Sequence, residues 1–232
     1  MTFGLSPAEW QVVALSLQVA IWATLASLPF GILAAMALAR GRFWGREALN
    51  IAVHLPLVLP PVVTGYLLLV LFGSQGPLGR FFEATLGLTF AFRWTGAALA
   101  CAIMAFPLMV RAIRLALDAV DPKLEEAAAT LGASRLRIFA TVTLPLMLPG
   151  ILAGTVLGFA KALGEFGATI TFVSNIPGQT QTIPTAIYSL LQVPGQENAA
   201  LRLIVMSIAL SAAALVASEW LARNMAKRVR GS

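Results

Sequence analysis

Lys161 and Glu165 stand four positions apart in an otherwise uncharged stretch. On a helix that spacing puts both side chains on one face, within reach of each other. An ionisable residue inside a membrane helix usually marks a pathway or a relay, so Lys161 could meet a permeant anion. The alternative is a mutually neutralising pair at the membrane boundary, which its place near the end of an apolar run favours. The other reactive residue types assemble no catalytic set. His54 is the only histidine and Cys101 the only cysteine, which excludes a histidine metal cluster and an internal disulfide. Ser27, Thr64 and Ser174 have no histidine to activate them except His54, so no nucleophile–base pair is defensible. None of the lysines (Lys123, Lys161, Lys227) follows a glycine, so there is no G-x-x-x-x-G-K-[ST] phosphate loop. The chain therefore has no means of its own to turn over ATP by that chemistry, and no cofactor or metal is expected on it.

Composition explains why chemistry is scarce. Of 232 residues, 59% are hydrophobic and 11% charged, against about 25% charged in a soluble domain. So few charges cannot cover a water-facing surface. The net charge of +6 comes from basic residues in short loops between apolar runs. That is the imprint of membrane insertion, and nucleic-acid binding is not expected. A cleaved signal peptide is not expected either, because Met1 to Trp10 lacks a basic start and the first apolar run is too long.

A bilayer core of ~30 Å needs roughly 20 apolar residues in a helix rising ~1.5 Å per residue. Five stretches qualify: Gln11–Ala39; one within Ile51–Gly73, broken by Pro60-Pro61; Trp94–Val110, ending among Arg111 and Arg114; Leu146–Leu163; and Ala199–Leu221. Ser74–Arg93 is expected to be a Gly-rich loop. Residues 166–196 carry no charge but are interrupted at Asn175-Ile176-Pro177-Gly178-Gln179, and segments of ~10–14 residues are more often re-entrant. The regions 40–46, 111–137 and 223–230 hold 12 of the 16 Lys and Arg residues. The positive-inside rule puts them in the cytoplasm. Five spans and a re-entrant segment then place the N-terminus outside and the C-terminus, with Arg223, Lys227, Arg228 and Arg230, inside. The expected fold is one all-α polytopic bundle over 1–232.

Small residues repeat at four-residue spacing in two spans: Gly150, Gly154, Gly158 and Ala162, and Ser27, Gly31, Ala35 and Ala39. Such stripes let helix backbones approach closely where no hydrophobic effect drives association. Pro56, Pro60, Pro61 and Pro107 should kink their helices.

The segment 118–145 has the clearest local grammar. Asp121 can cap a helix with Pro122 at its first position, and Glu125 and Glu126 lie near its positive end. Gly132 suits a left-handed stop, and Ser134 can cap a second helix. Leu124, Ala128 and Leu131 share a face that would fit a groove on a soluble partner. The order Glu126-Ala127-Ala128, three residues, Gly132, nine residues, Val142, one residue, Leu144-Pro145 resembles the EAA loop of ABC importer membrane subunits, EAA-x3-G-x9-I-x-LP. It departs only at Val142. The runs His54–Val63, Phe106–Arg114 and Gly164–Phe172 look like the molybdate permease family of bacterial ABC systems; sulfate and tungstate permeases are the nearest alternatives.

The resemblance implies a type I importer fold in the bacterial inner membrane, in contact with membrane lipids. It also implies a second copy of the chain, a cytoplasmic ATPase dimer, a periplasmic oxyanion-binding protein, and molybdate in transit. Residues 118–145 would be the ATPase-coupling loop, through Asp121, Leu124, Glu126, Ala127, Ala128, Leu131, Gly132, Val142, Leu144 and Pro145. A secondary transporter is the rival class. It would show internal repeats and buried relays, and only the Lys161–Glu165 pair answers to that description.

Overall fold

Ser6 starts the first helix: its Oγ accepts the Glu9 N–H, and Glu9 Oε2 accepts the Ser6 N–H at 2.6 Å. This reciprocal cap, with Pro7 in the first turn, fixes the entry of α1, Pro7–Arg40. The structure is a computed structural model that describes residues 4–229; Arg230 of the basic tail lies outside the described residues. All regular structure among these residues is helical.

After α1 come α2 (Arg46–Val58) and α3 (Pro61–Phe72), bent by 116° about Leu59 and Pro60. Pro60 and Pro61 have no N–H to continue the ladder, and residues preceding a proline favour extended backbone, as Leu59 adopts (φ −68°, ψ 142°). Two apolar layers show how this broken pair runs. One, at the end where α1 finishes, holds Leu38, Val53, Ile113, Leu117 and Met147. The other holds Val19, Leu68, Cys101, Leu163 and Phe172. Val53 of α2 lies in the first layer and Leu68 of α3 in the second, so the pair passes from one to the other. With Pro7–Arg40, Trp94–Asp118, Arg135–Leu163 and Glu197–Ala217 it makes up to five crossings.

The expected loop Ser74–Arg93 contains a helix, α4 (Pro77–Leu86), which starts on a proline and stops at left-handed Gly87 (φ +65°). At about 15 Å it is too short to cross. Phe82 and Phe72 each meet Phe90 edge-on at 5.5 Å and seat it on the bundle. The central element is α5 (Trp94–Asp118), packed against both α1 and the fourth span. Then follow α6 (Pro122–Thr130), α7 (Arg135–Ile138) and α8 (Leu144–Leu163). Sequence spacing separates the second hairpin helix from the fourth span; the structure joins them. Residues Arg135–Leu163 run unbroken, with a wider turn over Phe139–Thr143 where the Leu144 N–H reaches the Phe139 carbonyl. Pro145, which cannot donate to the Thr141 carbonyl, accounts for that widening.

Residues 166–196 form two short helices, α9 (Gly167–Val173) and α10 (Ile183–Leu190). Each is ~10–12 Å long, well short of a crossing. Phe172 of α9 is wholly buried beside α5, and Ser16 Oγ of α1 accepts the Ile183 N–H at 2.7 Å. Both helices stay in the half of the bundle where α1 begins. The last helix, α11, is Glu197–Val229.

Candidate functional site

The α6–α7 hairpin projects from the end of the bundle where α1 finishes. Asp121 Oδ1 accepts the Lys123 N–H at 2.9 Å and caps α6. At the other end Gly132 is left-handed (φ +78°). Its N–H bonds the Ala129 carbonyl, and the Ala133 N–H bonds the Ala128 carbonyl at 3.2 Å. This paired closure satisfies the last carbonyls and needs a residue tolerant of positive φ. Ser134 Oγ then accepts the Arg137 N–H and starts α7.

The carboxylate that fastens the hairpin is Glu125. Its Oε2 contacts Arg40 Nη1 of α1 at 3.0 Å, and its Oε1 accepts from the buried Thr143 hydroxyl at 2.7 Å. Glu126, the motif residue, is exposed instead. Glu125 drew notice in the sequence only as a charge near a helix start. The two carboxylates differ by ~100° of helix rotation, and only the packed structure says which one turns inward.

The hairpin leaves three leucines exposed among its charged residues. Leu124 is 48% exposed, Leu131 88% and Leu136 78%; Ala127 is exposed and Ala128 partly buried. Leu136 is an exposed leucine beyond the residues singled out from sequence. Val142 and Leu144 are half-buried and Pro145 exposed along the helix leading to α8.

In α8 the glycine stripe meets α5. A Cβ on Gly154 would stand 3.0 Å from the Met109 carbonyl and 3.1 Å from Ile113 Cγ1. One on Gly150 would overlap the Ala116 methyl, and one on Gly158 would meet Met109 Cε at 2.8 Å. Gly31 of α1 faces the same methionine, its added Cβ 3.0 Å from Met109 Sδ. Fully buried Met109 is thus held between glycines of two helices.

Lys161 Nζ lies 2.7 Å from Glu165 Oε2, and Glu165 Oε1 accepts the Ala168 N–H at 3.1 Å. The Glu165 side chain is 1% exposed and that of Lys161 31%. The lysine charge is matched, and the carboxylate staples the end of α8 to the start of α9. A second pair was not anticipated: Glu9 Oε1 contacts Arg202 Nη2 at 2.7 Å and joins α1 to α11. Glu9 thus serves both the local cap of α1 and a distant partner on α11. Ser27 Oγ donates to the Ala23 carbonyl, and His54 Nδ1 bonds the Asn50 carbonyl. Neither is free to serve as a nucleophile or its base through those atoms. Among the described residues no three His, Cys, Asp or Glu side chains converge as a metal site would require.

The helical arrangement is shared with solved transporters. A bacterial ABC transporter involved in the import of the acidic polysaccharide alginate matches with a TM-score of 0.74 at 20% identity, over 94% of this chain and 80% of that one. In sequence, the chain is 61% identical over 224 residues to the molybdenum transport system permease protein ModB of Escherichia coli K12, covering 97% of this chain and 98% of the relative. Its counterpart in Haemophilus influenzae is 56% identical over 221 residues, covering 95% and 96%. Residues 27–231 match the family described as "Binding-protein-dependent transport system inner membrane component". With its crossings, its glycine-packed centre and its projecting hairpin, the chain belongs to that family of inner-membrane transport components.

Proposed function

We propose that this chain is the membrane permease subunit of an ATP-driven importer of molybdate. It works as a homodimer with two cytoplasmic ATPase subunits and a periplasmic oxyanion-binding protein. The near full-length identity to molybdenum permeases carries the reading. The distribution of Lys and Arg supports a periplasmic N-terminus and a cytoplasmic C-terminus, which puts the α6–α7 hairpin on the ATPase side. There its exposed leucines, Leu124, Leu131 and Leu136, would enter a groove on the ATPase. ATP-driven closure of the ATPases would press on α6. Glu125 would carry the force into α1 and α8, and the two copies would open alternately to either side. The permeant anion needs only a weak site along the way, because it must also leave.

The test is uptake of radiolabelled molybdate into proteoliposomes holding the chain, its ATPase and its binding protein. Uptake should require both partners and ATP, and excess tungstate should compete better than sulfate. Uptake without ATP would point to a secondary transporter, and preferential transport of sulfate would overturn the assignment of molybdate.

A further inference from the structure

Between α2 and α5, at the end of the bundle that carries α6, lies a cavity of about 320 Å³ lined by Asn50, His54, Arg111, Arg114, Leu115 and Asp118. Two guanidinium groups face one carboxylate there. Arg114 Nε is 3.6 Å from Asp118 Oδ2, a long contact on a single helix. Arg111 is exposed and makes no ion pair among the described residues. His54 has its Nδ1 tied to the Asn50 carbonyl at 2.9 Å. The cavity therefore keeps a net positive charge that its own walls do not neutralise, unlike Lys161, which Glu165 matches at 2.7 Å. Guanidinium presents a planar fork of donors suited to the paired oxygens of an oxyanion. A positively lined recess attracts small anions more strongly than the same charges on a flat surface.

We infer that this cavity is a site for a tetrahedral oxyanion, with Arg111 and Arg114 as its donors. The inference rests on the proposed passage of an oxyanion through the bundle. The same chemistry would accept either the transported anion on its way out or the phosphate of a lipid headgroup. Asp118 opposes binding of both, because it competes for Arg114 and adds a negative charge at the rim.

The signs of two substitutions separate this role from a structural one. The probe is radiolabelled molybdate, equilibrated with the permease–ATPase complex in lipid-free detergent without binding protein. Arg111→Gln should weaken binding by about tenfold or more, the scale of one charge-assisted hydrogen bond, and Arg111→Lys should restore part of it. Asp118→Asn should tighten binding about threefold, the scale of one partly screened charge. Arg80→Gln, on α4 and bonded to Gln75, should change nothing. A second arm asks whether phosphatidylglycerol co-purifies with the wild type from nanodiscs and is lost with Arg111→Gln. Retention of that lipid without molybdate binding would make the headgroup the occupant of the same oxyanion site. If neither probe depends on Arg111, or if Asp118→Asn fails to tighten either, the site is wrong. Wild-type molybdate uptake in proteoliposomes is read alongside. Normal uptake without Arg111-dependent binding overturns this inference alone. Absence of uptake, with Arg111-dependent lipid retention intact, overturns the proposed transport function alone.

Discussion

Adding one methyl group at each glycine of α8 sets helix propensity against packing, and the structure decides which wins at each position. Glycine to alanine inside a helix is worth about 1 kcal/mol in propensity when nothing obstructs the new methyl. At Gly150 the methyl would overlap that of Ala116. Both carbons are fixed to backbone, so α5 and α8 must part by about 1.5 Å to regain an ordinary carbon–carbon contact of ~3.5–4.0 Å. Overpacking of that kind costs about 1–3 kcal/mol, and with nothing flexible to yield the upper value applies. Gly150→Ala should therefore lose about 2 kcal/mol net. At Gly154 the shortfall against the Met109 carbonyl and Ile113 is a few tenths of an ångström, so the two effects roughly cancel. At Gly158 the obstruction is the terminal methyl of Met109, which can swing aside, and a gain of about 0.5 kcal/mol should remain. For a chain of this size 1 kcal/mol shifts the midpoint by about 2–4 °C. Thermal unfolding of the purified chain in one detergent should rank Gly158→Ala above wild type, Gly154→Ala level with it, and Gly150→Ala about 4–8 °C below. A Gly150→Ala variant melting at or above wild type would show that α5 and α8 are not in contact there.

Three further outcomes follow from the hairpin and the buried pair. Lys161→Met strands a buried carboxylate and should cost roughly 3 kcal/mol, whereas Glu165→Gln leaves a lysine that still reaches water and should cost under about 1 kcal/mol; the reverse order in thermal unfolding would refute the neutralising role. Glu125→Gln, compared with Glu126→Gln, should raise hydrogen exchange across residues 122–138 by roughly tenfold, since it removes a screened ion pair and weakens a charged hydrogen bond; equal effects would put the fastening elsewhere. Gly132→Val forces a β-branched side chain into positive φ at about 1–2 kcal/mol or more. It should leave membrane levels normal while abolishing molybdate uptake and binding-protein-stimulated ATP hydrolysis in proteoliposomes, and wild-type rates in both would make the hairpin a mere connector.

Much of this architecture was legible because membrane helices advertise themselves over twenty residues at a time. Local caps were equally readable: Asp121, Gly132 and Ser134 each sit where their backbone chemistry predicts. What escaped was set by distance or by phase. The Arg202–Glu9 pair escaped because its members stand 193 residues apart. Glu125 and Glu126 are indistinguishable by composition, and which one reaches Arg40 depends on how α6 is rotated against α1. The helix α4 was overlooked for another reason: its Pro77 start and Gly87 stop were present, but the polarity of the surrounding stretch outweighed them. The continuity of Arg135–Leu163 was hidden because the apolar run begins only at Leu146, yet a locally widened turn absorbs the donor that Pro145 lacks and carries the helix through.

That continuity has a mechanical corollary. From Arg135 to Gly154 the helix is about 28 Å long, and from Gly154 to Leu163 about 13 Å, at ~1.5 Å per residue. The close approach to α5 at Gly150 and Gly154 would serve as a fulcrum between arms in a ratio of about two to one. A sideways push on the hairpin end would then swing the Glu165 end the opposite way, through about half the distance. One rod balanced on a glycine bearing can thus narrow one mouth of the bundle while widening the other, with no signal relayed from residue to residue.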